Sequence, residues 1–184
     1  MSILPPSTLD SIRTSYANSY EIDLTEVTLS GFCSGLDDPV SNLPALSRTR
    51  ATGLQEAFRW GEPYSLFLLP NVISWIVPLV KDARFLGGLC GGAVLAEPDP
   101  SDRFETINYL ASSGCTREQA EVYVNALPVW TNPERPQKAA EFLFALTCNA
   151  LSWDMLLLSE NRKKAMRQRE IAEEIHRRKQ GGGE

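Results

Sequence analysis

Residues 64–96 read YSLFLLPNVISWIVPLVKDARFLGGLCGGAVLA, and this stretch decides the fold. Short breaks divide it into apolar runs at 64–69, 72–80 and 84–96. Runs of this length, rich in β-branched, leucine and aromatic residues, are typical of consecutive antiparallel strands. Because they are continuously apolar, we expect them to be covered on one face and to line something on the other. Pro78 indicates an edge position or a bulge in the second strand.

The third run contains Gly87, Gly88, Gly91 and Gly92. Glycine within a strand marks a bulge or a close approach of other atoms. The cluster predicts either a strand that curves against a packed helix or space that is left empty for a ligand. It does not have the spacing of a dinucleotide-binding loop, and no Lys-Ser or Lys-Thr follows it as in a P-loop.

Helical periodicity flanks these strands on both sides. We predict helices that end at Gly61, begin at Ser101 or Asp102, and open with a capping box from Thr116 to Gln119. In the second helix we place Leu54, Ala57 and Phe58 on the apolar side, with Arg48, Arg50 and Glu56 elsewhere. The predicted helices are 7–19, 48–60, 102–112 and 117–126, with one or two strands in 20–32 and loops at 33–47 and 127–136, where Trp130 anchors the second loop.

From Gln137 to Gln180 the chain has neither proline nor glycine, which permits one very long helix or two in line. The first half is apolar enough to be buried, at Phe142, Leu143, Leu146, Ala150, Trp153 and Leu157. The second half is polar, and its sparse positions form a weak coiled-coil seam. That seam comprises Ala165, Gln168, Ala172 and Ile175. We therefore expect a homodimer that pairs through this helix.

Charge divides the chain into an acidic body and a basic tail. Residues 1–158 carry 10 Lys and Arg against 18 Asp and Glu, a balance of −8, whereas residues 159–184 carry 8 against 5, a balance of +3. An acidic body argues against a nucleic-acid surface in the globular part. We predict an α+β sensing domain at 1–158 and a linker helix at 159–184. No secretion signal or membrane span is recognisable, so we expect a cytoplasmic protein without membrane contact.

The residue inventory does not favour catalysis. The four cysteines show no CxxC spacing, and the only histidine, His176, lies in the tail. We therefore expect no metal, no cofactor and no Ser-His or Cys-His catalytic pair. A small enzyme that uses Cys90 or Cys33 remains an alternative.

Binding is the function that the central strands favour. Phe67, Trp75 and Phe85 come from three adjacent strands and could frame a mostly apolar cavity. Plain core packing is the alternative for each of them. The predicted ligand-binding residues are these three aromatics together with Asn71, Ser74, Gly88, Cys90 and Cys33.

The chain resembles the PocR-type sensory domain, a PAS-like ligand-binding module of bacterial transcription regulators and sensor kinases. The resemblance lies in GLQEAFRWGEPY (53–64), in ISWIVPLVKDARFLGGLCGGAVLAEP (73–98) and in the closing helices of 107–151. It implies a PAS-like antiparallel sheet flanked by helices, with a long C-terminal signalling helix. It also implies a ligand such as a diol or another simple hydrocarbon derivative.

The tail REIAEEIHRRK (169–179) is similar to the linker that joins such sensors to a helix-turn-helix output domain of the AraC class. Contact with DNA would then occur only through an output domain that these residues do not contain. Cys33 resembles the first cysteine of the family, but the common Cys-x-x-Gly-Leu stretch is replaced by LLPNV at 68–72. We therefore expect a pocket more apolar than is usual in the family. A dimerisation module that binds no ligand is the alternative function.

Overall fold

A computed structural model describes residues 2–96, 99–151 and 155–181. Its helices and strands follow the order α1, β1, α2, β2, β3, β4, α3, α4, α5, α6. The helices are α1 Pro6–Tyr20, α2 Pro44–Trp60, α3 Pro100–Ser112, α4 Arg117–Ala126, α5 Arg135–Ala150 and α6 Leu156–Gly181, and the strands are β1 Leu24–Thr28, β2 Tyr64–Leu69, β3 Val72–Lys81 and β4 Arg84–Leu95.

The four strands form one antiparallel sheet in the order β1-β4-β3-β2. The three apolar runs thus form consecutive hairpins, as their pattern predicts. Asp82 and Ala83, with φ of 49° and 57°, form the two-residue turn between β3 and β4. Pro78 pairs only with β4, because the pairing of β2 with β3 ends at Ile76. β3 is an inner strand, but at Pro78 it has a neighbouring strand on one side only, which confirms the predicted edge position.

Helices cover both faces of the sheet. One side, here called the α2 face, packs against α2, α3 and α4 through a core that includes Leu54, Leu110 and Val124. The opposite side, the α1 face, packs against α1 and α5 through a core that includes Tyr16 and Leu143. The expectation that only one face of the sheet is covered is therefore wrong. The long apolar strand β3 buries residues on both of its sides.

Helix boundaries differ from the predictions where proline starts a helix. α2 begins at Pro44 within the predicted loop, because a proline in the first turn needs no hydrogen bond for its nitrogen. α3 begins at Pro100, and the side chain of Asp99 caps it by accepting from the Ser101 amide. The capping box of Thr116 and Gln119 is confirmed in α4.

The C-terminal region forms two helices, α5 and α6, rather than one. α5 ends at Ala150, and α6 then packs against α2. Met155 and Leu158 are buried beside Val80, so the start of α6 is held by apolar contacts. Ala150 is exposed, contrary to the prediction, and Trp153 lies outside the described residues. Ala165 is already buried within the single chain, so it is not free to join a seam between copies.

The glycines of β4 make room for the protein's own atoms. A Cβ at Gly91 would lie 2.2 Å from the indole nitrogen of Trp75, and one at Gly88 would lie 2.6 Å from Leu54 Cδ1. Gly92, with φ of 63°, lies under the same indole and adjoins a register shift between β3 and β4. Of the two predictions for these glycines, a strand that curves against packed side chains is therefore the one that the structure shows, rather than space left empty for a ligand. Cavity space lies beside this strand, on the α2 face.

Candidate functional site

The three predicted aromatics do not meet around one cavity. Phe67 is 68% exposed on β2, at the outer edge of the sheet. Trp75 is fully buried on the α1 face, where its ring stacks on Trp130 at 5.3 Å. Phe85 stacks on Phe58 of α2 at 4.2 Å, on the other face. Side chains from neighbouring strands share a face only when the register aligns them, and here it separates them.

Three further predicted residues have visible structural tasks. Asn71 occupies the β2–β3 turn with φ of 62°, and its side-chain amide donates to the carbonyl of Asp102 on α3 at 3.4 Å. Gly88 accommodates the side chain of Leu54. The hydroxyl of Ser74 donates to the carbonyl of Gly92 at 2.9 Å and lies 3.1 Å from the sulfur of Cys90. Ser74 therefore fixes Cys90 and the irregular part of β4.

Cys33 and Cys90 do lie at one cavity, on the α2 face. The cavity has a volume of about 280 Å³. In the backbone pairing, Cys90 of β4 lies opposite Thr25 of β1, and Cys33 makes an isolated β-bridge with Val27 at the other edge of β1. Because Thr25 and Val27 are two residues apart on one strand, both thiols lie on the same face of the sheet. The lining residues are Glu21, Ile22, Asp23, Thr25, Cys33, Leu36, Ser41, Arg50, Leu68, Cys90, Gly92, Ala93, Tyr123 and Pro128.

Arg50 is the most unusual residue of this lining. Its position four residues after Leu46 and four before Leu54 places it on the buried side of α2, and it is only 3% exposed. Its guanidinium donates from Nη1 to the carbonyl of Gly31 at 3.2 Å and from Nη2 to the carbonyl of Ser41 at 2.6 Å. The prediction that placed it away from the apolar side is wrong.

The charge of Arg50 has no carboxylate partner within the described ranges. An arginine carries five N–H donors, and the bonds to Gly31 and Ser41 use one on each terminal nitrogen. The remaining N–H groups make no hydrogen bond to any described residue. A buried cation with unused donors beside a cavity is the arrangement that an acceptor-rich ligand would complete.

The loop after Cys33 forms a fixed wall of the cavity. The side chain of Asn42 bonds both backbone groups of Cys33, accepting from its amide at 2.8 Å and donating to its carbonyl at 3.1 Å. Asp38 accepts from the amides of Val40 at 3.0 Å and Ser41 at 2.7 Å. Burial would raise the pKa of Asp38, but these hydrogen bonds outweigh it and lower that pKa. The carboxylate of Asp38 is therefore occupied by the loop itself.

The two thiols and the phenol that face the cavity are held in their neutral forms. Burial raises the pKa of the Cys33 thiol to about 12, and the neighbouring Cys90 adds to that effect. Burial likewise raises the pKa of Cys90 and brings that of Tyr123 to about 12, although Arg50 opposes both shifts. Because the thiolate is the reactive form of cysteine, neutral thiols here are poor nucleophiles.

One signal in the sequence could have revealed this cavity. Arg50 lies in the helical stripe of Leu46, Leu54 and Ala57, where an arginine is rarely buried without a purpose. Tyr123 gives no such signal, because the residue before it on α4, Val122, is 68% exposed. The cavity depends on contacts between β1, α2 and α4 that no local pattern encodes.

Comparison of the chain with protein-family models, with curated proteins and with solved structures gives no match. The structure itself defines the class: a mixed α+β protein with a four-stranded antiparallel sheet, flanked by helices and followed by a C-terminal helix. Over the ranges that the structure describes, no helix is both long enough and apolar enough to cross a membrane.

Proposed function

We propose that this chain is a small-molecule sensor domain whose ligand occupies the cavity at Arg50. The observation that carries the proposal is a buried guanidinium with unused donors at the wall of a cavity of about 280 Å³. Ligand sites are typically concave, largely preformed and lined by apolar groups with a few placed polar ones. The neutral state of Cys33, Cys90 and Tyr123 favours binding over catalysis.

The resemblance to PocR-type domains supports the same function. A PAS-like identity, a cytoplasmic location and a place in a bacterial transcription regulator or signal-transduction protein belong to this proposal. So does an output domain, outside these residues, through which any contact with DNA would occur. The site differs from the apolar one that the sequence predicts, because Arg50 adds a charge to it.

Helix α2 provides a route from the cavity to α6. Arg50 lies in its first half, and its C-terminal end contacts α6. There the Asn161 side chain donates to the carbonyl of Phe58 at 2.9 Å, and Arg169 pairs with Glu62 at 3.1 Å. A ligand that prefers one position of α2 would therefore bias α6 as well, in proportion to its difference in affinity for the two positions.

A matched pair of variants tests the site. We would add short diols, alcohols, carboxylic acids and their amides to the ¹⁵N-labelled chain and follow the amide signals of Cys33, Cys90 and Gly92. Ala93 lines the cavity, so Ala93→Leu reduces the cavity volume. Ala145→Leu places the same side chain on the exposed side of α5, away from the cavity. We expect binding to the wild type and to Ala145→Leu, with at least a 10-fold loss in Ala93→Leu. Signals that no compound moves would contradict the proposal.

Exposed apolar side chains on α6 favour a second function, dimerisation. Ile171 is 54% exposed and Ile175 is 50% exposed, one helical turn apart on the same face. Beyond Arg169 none of the described residues of α6 is buried. So polar a segment is marginal alone, and a second copy of the chain is the natural partner for that face. Dimerisation would serve a sensor as well as a module that binds no ligand, and the binding experiment separates the two.

A further inference from the structure

We infer that the ligand is a small carboxylic acid whose carboxylate is bound by Arg50. The inference rests on the proposed function of the same cavity and specifies its ligand class. It differs from the neutral diol or hydrocarbon derivative that the resemblance implies.

The first step is the unbalanced charge of Arg50. Removing a guanidinium from water is strongly unfavourable unless a partner charge and hydrogen bonds compensate it. The carbonyls of Gly31 and Ser41 compensate in part, but they are dipoles rather than charges. A carboxylate can accept two parallel N–H bonds from a guanidinium, which is the strongest neutralising contact available to arginine.

The second step is the sign and number of the other charges. Glu21 and Asp23 line the outer part of the cavity and are exposed, and Asp38 lies in the adjoining loop. These carboxylates would repel any negative charge in excess of the one that Arg50 neutralises. A carboxylate carries one charge, whereas a phosphate monoester carries nearly two at neutral pH. Among anions, the charge balance therefore favours a monocarboxylate over a phosphate monoester.

The third step is the shape and polarity of the remaining wall. Leu36, Leu68 and Ala93 supply apolar surface, and the thiols of Cys33 and Cys90 behave as small, neutral hydrophobic groups. The volume of about 280 Å³ lies just below the range of roughly 300–1,000 Å³ for ligand pockets, so the ligand must be small. A compact aliphatic or aromatic body attached to the carboxylate matches this wall better than a nucleotide does.

The decisive experiment compares each acid with its own amide on the wild-type chain. Butyrate and butyramide, and benzoate and benzamide, are nearly equal in shape and differ in charge. We would titrate each by NMR at neutral pH, with inorganic phosphate as a further probe. We expect at least one acid to bind about 10-fold or more tightly than its amide, because a charge-assisted hydrogen bond is lost in the amide. Phosphate should bind more weakly than that acid.

Variants then place the difference at Arg50. In Arg50→Gln the preference for the acid over the amide should vanish, whereas Arg50→Lys should keep part of it. The same preference should vanish in Ala93→Leu and persist in Ala145→Leu, which excludes binding to the basic helix α6. Near-UV circular dichroism checks that each variant is folded. If Arg50→Gln does not fold, the wild-type comparison and Ala93→Leu still decide.

The outcomes separate the two proposals. Amides or diols that bind the cavity as tightly as the acids would overturn the carboxylate inference and leave the sensor proposal standing. Phosphate that binds more tightly than every acid would replace the carboxylate by an inorganic or phosphorylated ligand. If compounds of neither kind perturb the cavity amides, the sensor proposal itself fails.

Discussion

The indole nitrogen of Trp75 donates a 2.7 Å hydrogen bond to the hydroxyl of Tyr16, and both side chains are fully buried. The bond joins β3 to α1 through two residues that are 59 positions apart in sequence. The indole can lie there because Gly91 and Gly92 leave the neighbouring strand without side chains. Gly91 and Gly92 thus serve the packing of the α1 face, while the cavity opens on the opposite face.

Tyr16→Phe tests that bond. The variant keeps the ring and removes the one acceptor that the described residues offer the buried indole N–H, so we expect the free energy of unfolding to fall by about 1–3 kcal/mol. Tyr20→Phe is the matched control, because the Tyr20 hydroxyl makes no hydrogen bond to the described residues. It should change stability by less than about 0.5 kcal/mol. Urea denaturation followed by circular dichroism measures both, and equal effects would refute the assigned role.

Gly91→Ala tests the close approach of the indole to β4. A Cβ at this position would lie 2.2 Å from Trp75 Nε1, so the ring or the strand must move. Overpacking of this kind costs about 1–3 kcal/mol. Gly53→Ala is the comparison, because its nearest contact is the mobile end of Leu66 at 3.0 Å and alanine favours a helix. A Gly91→Ala protein as stable as the wild type would show that the glycine is dispensable.

Ala83→Gly should stabilise the protein. Ala83 has φ of 57° in the two-residue turn between β3 and β4, where a Cβ costs about 1–2 kcal/mol. Hairpins of this length favour Asp-Gly, and Asp82 already supplies the first residue. Part of the gain is offset by the entropy of glycine, so we expect an increase of about 0.5–1 kcal/mol in the free energy of unfolding. Ala145→Gly, on an exposed part of α5, should show the opposite sign in the same thermal and urea measurements.

Local patterns predict much of this fold for clear physical reasons. The hairpins from β2 to β4 follow from apolar runs with turn residues between them. The C-terminal end of α2 follows from Gly61, and the start of α4 follows from the Thr116 capping box. These signals act within a few residues. Each therefore survives the tertiary context.

Long-range contacts explain what local patterns do not predict. Nothing near Thr25 indicates that β1 pairs with β4. Nothing near Ala150 indicates that α6 packs against α2. The cavity lies among these distant elements. Only Cys33 and Cys90 of the predicted ligand-binding residues line it, while Arg50 is buried by the packing of α2.

Alkaline pH should destabilise the protein, with Cys33 as one of the responsible groups. Burial raises the pKa of Cys33 from 9.0 to about 12 in the folded state. The unfolded chain therefore loses this proton first, so the contribution is fully present below about pH 9 and falls as the pH rises toward 12. Each such group lowers the free energy of unfolding by up to about 1.4 kcal/mol per pH unit in that window.

Substitution of the thiol isolates its part in the alkaline transition. Cys33→Ala should lower stability at neutral pH by leaving a small cavity, but its decline between pH 9 and 12 should be shallower than in the wild type. Cys115→Ala, which removes a partly exposed thiol, should keep the wild-type slope. Urea titrations at several pH values give these slopes. A decline equally steep in Cys33→Ala would assign the effect to other groups, such as Tyr16 and Tyr123, whose pKa values burial also raises.

Ile175→Glu should weaken self-association if α6 pairs with a second copy. The substitution places a charge beside Ile171, on the face where both isoleucines are half exposed and where a partner helix would bury them. Gln180→Glu adds the same charge at a polar, exposed position of α6 and serves as the matched control. Sedimentation velocity over a range of concentrations should show dimers for the wild type and the control, and a shift to monomers for Ile175→Glu. A wild-type chain that remains monomeric at the highest concentration would contradict pairing through α6.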